Sequence, residues 1–188
     1  MRIQPLYPLI GAIAAMGMFG TPDATAAGGD QRHSSHSGHP ATGLVRIVRN
    51  STHQFRNVSN AERSGYGAIL GCTSGDTHGA MGLHYANAVL IGDGTLDANR
   101  PEALVYEPLH NGKLRLVAVE YLVIAEAWDA VNPAPPVLEG QLFHYQGSPN
   151  RYGLPPFYAL HVWAWKENPD GMFANWNTRV SCAAYNPD

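Results

Sequence analysis

From Tyr66 to the end of the chain, residues that interrupt regular structure recur so closely that the segments between them have the length of strands rather than of long helices. The breakers are Gly71, Gly75-Asp76, Gly79, Gly82, Asp93-Gly94, Pro101, Asn111-Gly112, Pro133 to Pro136, Pro155-Pro156 and Asn168-Pro169-Asp170-Gly171. The clearest consequence is a hairpin, with Ala103 to Pro108 and Leu114 to Ile124 flanking Asn111-Gly112. Asn-Gly suits the type I′ turn, which demands positive φ at both central positions. Further strands are expected at Val137 to Tyr145 and Pro156 to Lys166, and Ala125 to Val131 reads as a short helix or an irregular crossing.

Before Tyr66 the period changes. Leu44, Ile47, Val48, Ser51, Phe55, Val58 and Ala61 fall on one stripe at three- and four-residue steps, and Gly65 supplies a helix-terminating position. The stripe predicts one long helix, or two short ones broken near Ser51-Thr52. A helix followed by four or five strands is an α+β plan: an N-terminal helix packed on a curved, mostly antiparallel sheet or partly closed barrel.

The first residues point to export. Arg2 precedes an apolar run from Leu9 to Phe19, followed by Pro22 and Ala24-Thr25-Ala26, an n-region, h-region and A-x-A cleavage pattern. The run is too short for a membrane span, which takes roughly 20 residues. Residues 1–26 are therefore expected to be a signal peptide, and the mature protein periplasmic or secreted. Residues 27–41 are expected to be a flexible leader carrying His33, His36 and His39, since Gly28 to Pro40 has no apolar residue whose burial could offset ordering. Residues 42–188 remain as one α+β domain. Twelve basic against fifteen acidic side chains leave no basic face for a phosphate backbone, so nucleic acid is not an expected partner. Cys72 and Cys182 are the only cysteines. In an oxidising compartment they are expected to pair, leaving no spare thiol.

Chemistry is sought where a polar side chain falls on an apolar strand face. Glu120 does so, alternating with Leu114, Leu116, Ala118, Leu122 and Ile124. A buried carboxylate needs a cation, a metal or a raised pKa. If Asn111-Gly112 is a two-residue turn, residue 107 pairs with 116 and 103 with 120. Glu107 then lies about 13 Å from Glu120 along the hairpin, too far for both to grip one ion or to act as paired glycosidase carboxylates. In Leu160-His161-Val162-Trp163-Ala164-Trp165, alternation puts His161, Trp163 and Trp165 on one face. His84 and His144 sit in similar apolar and aromatic contexts. Two or three histidines with one carboxylate form a common ligand set for zinc, copper, iron or manganese. No H-x-H or H-E-x-x-H spacing fixes it, and Asp76, Asp93 and Asp97 match no calcium loop. Nucleophile-elbow, P-loop and dinucleotide fingerprints are not found.

The motifs Met81-Gly82-Leu83-His84-Tyr85-Ala86-Asn87, Tyr106-Glu107-Pro108, Val119-Glu120-Tyr121, His161-Val162-Trp163-Ala164-Trp165, Asn168-Pro169-Asp170-Gly171 and Val180-Ser181-Cys182 resemble those of a family of small exported bacterial proteins of unknown function. The resemblance runs from about Leu44 to the end. It implies one compact secreted domain and supplies no catalytic residue.

Two functional expectations result. The first is an exported metal-binding domain, extending to a small metalloenzyme, with His84, Glu120 and His161 as ligands and His144 and Glu107 as further candidates. The second is a non-catalytic binding module in which Trp163, Trp165, Trp176 and Tyr106 form an aromatic pocket for a small molecule or glycan. Oligomeric state is left open. Expressed in an exporting host, the protein should lose residues 1–26; an intact mass that retains them would refute the cleavage assignment.

Overall fold

The computed structural model describes residues 40–186. The expected signal peptide and most of the His-rich leader lie outside the described residues. Among those described, no helix is long and apolar enough to cross a membrane.

Helix α1 spans Pro40–Thr52 and begins inside the segment expected as leader. Proline suits the first turn of a helix, where its missing N–H costs nothing. Leu44 and Val48 are fully buried, as the apolar stripe requires. The helix stops where the Thr52 hydroxyl turns back to donate to the Val48 carbonyl at 2.6 Å and accepts from the Trp165 indole N–H at 3.0 Å. A 3-10 turn, His53–Arg56, leads to α2, Val58–Arg63, capped by the Asn57 side chain accepting from Ser59 N–H. Gly65, at φ 87°, ends it in the left-handed conformation, while Tyr66 N–H bonds back to Ala61.

The remainder is a six-stranded, curled antiparallel sheet in a half-barrel, giving an α+β fold. Its strands are β1 (Gly67–Ser74), β2 (Ala80–Ala86), β3 (Ala103–Pro108), β4 (Leu114–Ile124), β7 (His144–Gln146) and β8 (Phe157–Val162), in spatial order β1-β2-β3-β4-β8-β7. Short helices α3 (Ala88–Gly92) and α4 (Ala125–Asp129) join strands. The expected strand from Val137 to Tyr145 is instead broken. Glu139 and Gly140, both at positive φ, fold β5 (Val137–Leu138) onto β6 (Gln141–Leu142) before β7 begins.

One sheet face packs on the helices: Leu44, Val48, Phe55 and Ala61 meet Leu83, Leu104, Tyr106, Val119, Tyr121, Leu160 and Val162 in the main core. Across the other face runs the C-terminal segment. It is held by Trp163 Nε1 donating to Ala174 O, by reciprocal backbone bonds between Ala80 and Asn177, and by the Cys72–Cys182 disulfide. The Cα atoms of the two cysteines are 5.7 Å apart, well within bridging range.

The hairpin register departs from expectation in an instructive way. The turn is longer than two residues: Leu109 N–H bonds to Lys113 O, Gly112 is at φ 73°, and Glu107 pairs with Arg115, not Leu116. A bulge then restores the expected register, because Tyr106 pairs with Leu116 but Val105 with Ala118, which leaves Val117 as the extra residue. Ala103 therefore faces Glu120 as expected. The bulged Val117 carbonyl accepts from both Trp165 and Lys166 N–H at 3.1 Å.

The disulfide closes a loop of 110 residues. Replacing both cysteines by Ser should cost about 4–5 kcal/mol in the chain-entropy account, read as a lowered urea midpoint under non-reducing conditions.

Candidate metal centre

The bulge at Val117 inverts the side-chain alternation of β4. Leu114 and Leu116 lie on the helix-packed face with Val119, Tyr121 and Val123, whereas Val117 and Ala118, consecutive in sequence, both join the opposite face. Leu114 and Leu116 thus do not share a face with Glu120, contrary to simple alternation. Glu120 still sits on an apolar face, with Leu122 and Ile124 beyond it.

On β8 its direct cross-strand partner is His161, and directly opposed residues in an antiparallel pair present their side chains to one face. His84 is reached through β3: it pairs with Val105, which pairs with Ala118, two residues from Glu120. In a flat sheet two strand spacings and two residue rises put their Cα atoms about 12 Å apart. Curling tips the side chains together above β3, where only the small Ala103 and Val105 intervene. His84 Nε2 lies 3.5 Å from Glu120 Oε2, His161 Nε2 3.7 Å from Oε1, and the two Nε2 atoms 3.4 Å apart. All three residues are buried, at 5%, 8% and 2% exposure for His84, Glu120 and His161.

Burial sets their charge. It pushes the Glu120 carboxyl up to about 8, with the Glu102 carboxylate adding to the rise. His84 is driven down to about 4 by burial, partly offset by the Gly82 backbone. His161 is driven down to about 3 by burial first, then by His84 and His144. At neutral pH the trio is a neutral acid beside two neutral imidazoles, not an ion pair. Both Nδ1 atoms are buried without a hydrogen-bond partner, at a cost of about 1–3 kcal/mol for each such group.

These donors fit a transition-metal ion. With metal–ligand bonds of about 2.1 Å, the edge of a tetrahedron is about 3.4 Å; the two Nε2 atoms are 3.4 Å apart, and one donor atom from each residue lies within 4.8 Å of the others. His84, Glu120 and His161 are a buried cluster able to hold a metal ion. Neutral imidazoles present free lone pairs, and an entering cation would displace the carboxyl proton. A two-His, one-carboxylate set suits zinc or iron, and imidazole also suits copper. The trio forms part of the wall of an open pocket with about 40 Å³ of enclosed space, otherwise lined mainly by apolar side chains.

The other sequence candidates go elsewhere. His144, on β7 opposite Ala159, lines the same pocket but is exposed, and it is outside the three-residue cluster. Glu107 is not near the trio: Arg115 and Lys166 each bind it at 2.7 Å and Ser181 N–H at 3.3 Å. Already neutralised by two cations, it clamps β3, β4 and the C-terminal segment together. The proposed aromatic set is not brought into one pocket. Trp163 is buried and stacked on His161, Trp165 turns to the helix-packed side to reach Thr52, and Tyr106 lies in the main core with its hydroxyl bonded to Phe55 O. Trp176 instead stands under the Arg151 guanidinium, 5.4 Å from its ring centroid.

Glu102 was missed. It is 1% exposed, and its Oε2 accepts from Leu122 N–H at 3.1 Å. The alternation test applied to Glu120 would have found it, since residues 102, 104 and 106 share a parity and Leu104 and Tyr106 are core.

Comparison of the chain with protein-family models, curated proteins and solved structures finds no match.

Burial raises Glu102 to about 8, opposed by the Leu122 N–H bond, with Asp93 adding and Arg100 opposing. The unfolded chain releases this proton at an ordinary carboxyl value of 4.5, the native state only near 8. Between those values the native state binds more protons, so this group's contribution makes stability fall as pH rises. Glu102→Gln keeps an acceptor for Leu122 and carries no charge. Its stability relative to wild type should therefore climb from pH 5 to pH 9 in urea denaturation; a flat difference would refute the assignment.

Proposed function

We propose that this chain is an exported metal-binding protein whose ion is held by His84, Glu120 and His161, with zinc the first candidate and iron and copper next. One observation carries the proposal: three metal-ligating side chains from three strands converge to within 3.7 Å in a buried, otherwise apolar setting. Without an ion the arrangement is expensive, because it crowds two buried imidazole Nε2 atoms against a carboxyl whose acidity burial suppresses. With one, the carboxylate charge is compensated and each Nε2 lone pair is used. Three protein ligands leave a further coordination position, the feature that separates catalytic from structural zinc sites. An ion there could polarise a bound oxygen or lower the pKa of a bound water, which is the chemistry of a small metalloenzyme.

Export is supported by the disulfide, which persists in oxidising compartments, and by the n-region, h-region and A-x-A pattern of residues 1–26. Membership of the small exported bacterial family is proposed on the motifs alone.

The test uses mature protein with His33, His36 and His39 replaced by Ser, so that the leader cannot bind metal. Calorimetric titration should give one zinc per chain, and His161→Ala should weaken binding by more than about 100-fold, exceeding the loss typical of an outer-shell change. Zinc should also raise the melting temperature of the parent protein and not of the variant. A stoichiometry near zero, unchanged in the variant, would end the proposal.

A further inference from the structure

The pocket beside the trio says more than that a metal could be reached. Its apolar wall includes Ile69, Leu70, Met81, Leu122, Leu154 and Phe157, Gln146 and Asn175 add uncharged amides, and the trio and His144 are its titratable side chains apart from Tyr152. No lysine or arginine lines it. Its enclosed space is about 40 Å³, enough for a ligand's head group beside the trio, while the rest of a ligand would lie along the open, largely apolar mouth.

Charge decides what kind of head group such a pocket favours. A divalent ion bound by two neutral imidazoles and one carboxylate keeps one net positive charge. Low-polarity walls make that charge costly unless a monoanion completes the coordination. The same walls disfavour any second charge on the ligand and reward an aliphatic body.

A separate observation points to the mouth of the pocket. Leu70 sits at φ 62° in the bulged part of β1, beside Gly71 at φ 66°. Leucine rarely adopts this left-handed region, where Asn or Gly is favoured. Leu70 is also 51% exposed and Ile69 37% exposed. A strained, half-exposed apolar side chain lining a pocket gains nothing for the fold that Asn would not supply better, whereas it gives an entering hydrocarbon a contact surface.

We propose that this pocket binds an aliphatic monocarboxylate, its carboxylate completing the coordination of the metal held by His84, Glu120 and His161 and its chain lying against Leu70, Leu122, Leu154 and Phe157. The proposal rests on the metal-binding reading above.

The probes are octanoate, acetate and octanol, titrated calorimetrically into zinc-loaded and zinc-free mature protein after zinc stoichiometry has been measured. Octanoate should bind the zinc-loaded protein at least a hundredfold more tightly than acetate, because each buried methylene contributes up to about fourfold. Octanol, and octanoate with zinc-free protein, should bind at least tenfold more weakly than octanoate with zinc. Leu70→Asn, which suits the local backbone, should leave zinc and acetate binding unchanged and weaken octanoate about tenfold. Leu154→Asp, which puts a negative charge in a partly exposed part of the wall, should weaken octanoate further. Protein that binds zinc but holds acetate and octanoate equally, or binds octanoate equally well without zinc, overturns this inference alone. Unchanged octanoate binding in both variants does the same. Protein that takes up no zinc overturns the metal reading and this inference with it, and the separate zinc measurement tells the two failures apart.

Discussion

The extra residue at Val117 is the constraint on which the rest of the structure depends. Without it, β4 would present Leu114, Leu116, Ala118 and Glu120 to one face, and either the hairpin end or the Glu120 end would carry the wrong surface toward the helices. With it, Leu114 and Leu116 join the helix-packed core while Glu120 turns to the opposite face. The bulge also recruits the chain beyond β8, since the Val117 carbonyl accepts from Trp165 and Lys166. Those bonds coincide with the turn that sends Trp165 to the helix side while Trp163 stays beside His161. Bulges leave one residue outside the ladder and bend the strand that carries them, and a bent β4 is part of the curl that brings His84 within reach of Glu120.

The site then follows from burial. Three polar side chains on three strands are surrounded by apolar residues, and burial pushes the carboxyl up and the imidazoles down until none is charged at neutral pH. Glu107 shows the contrasting solution in the same fold: an equally buried carboxylate ion-paired to Arg115 and Lys166. One glutamate has its countercharges supplied by the protein, the other does not. That difference marks Glu120, rather than Glu107, as the carboxylate for which an external cation is the natural partner.

Some of this was legible in the chain itself. The apolar stripe from Leu44 to Ala61 identified the helical region, because a 3.6 period is local to the chain, but left open whether it was one helix or two broken near Ser51-Thr52. The limits of β3 and β4 were readable from Asn111-Gly112 and the β-branched runs beside it. Glu120 stood out by its setting among apolar neighbours, and His84 and His161 by their aromatic contexts. The region from Val137 to Tyr145 was not legible as two short strands and a third, since Glu139 at positive φ has no sequence signature comparable to Asn-Gly. Nor could alternation foresee that Trp163 and Trp165 diverge, because β8 ends at Val162, before either of them.

Local chemistry by itself determined the helix and strand propensities, the pairing of the only two cysteines and the shortlist of polar residues set in apolar runs. These depend on periodicity, composition and turn geometry, which neighbours in sequence supply. Tertiary structure alone decided which shortlisted residues meet. His84 and Glu120 are separated by an intervening strand, so their 3.5 Å approach depends on the curl of the sheet. The bulge, the curl and the cations around Glu107 come from segments distant in sequence, and no local pattern encodes the distances they impose.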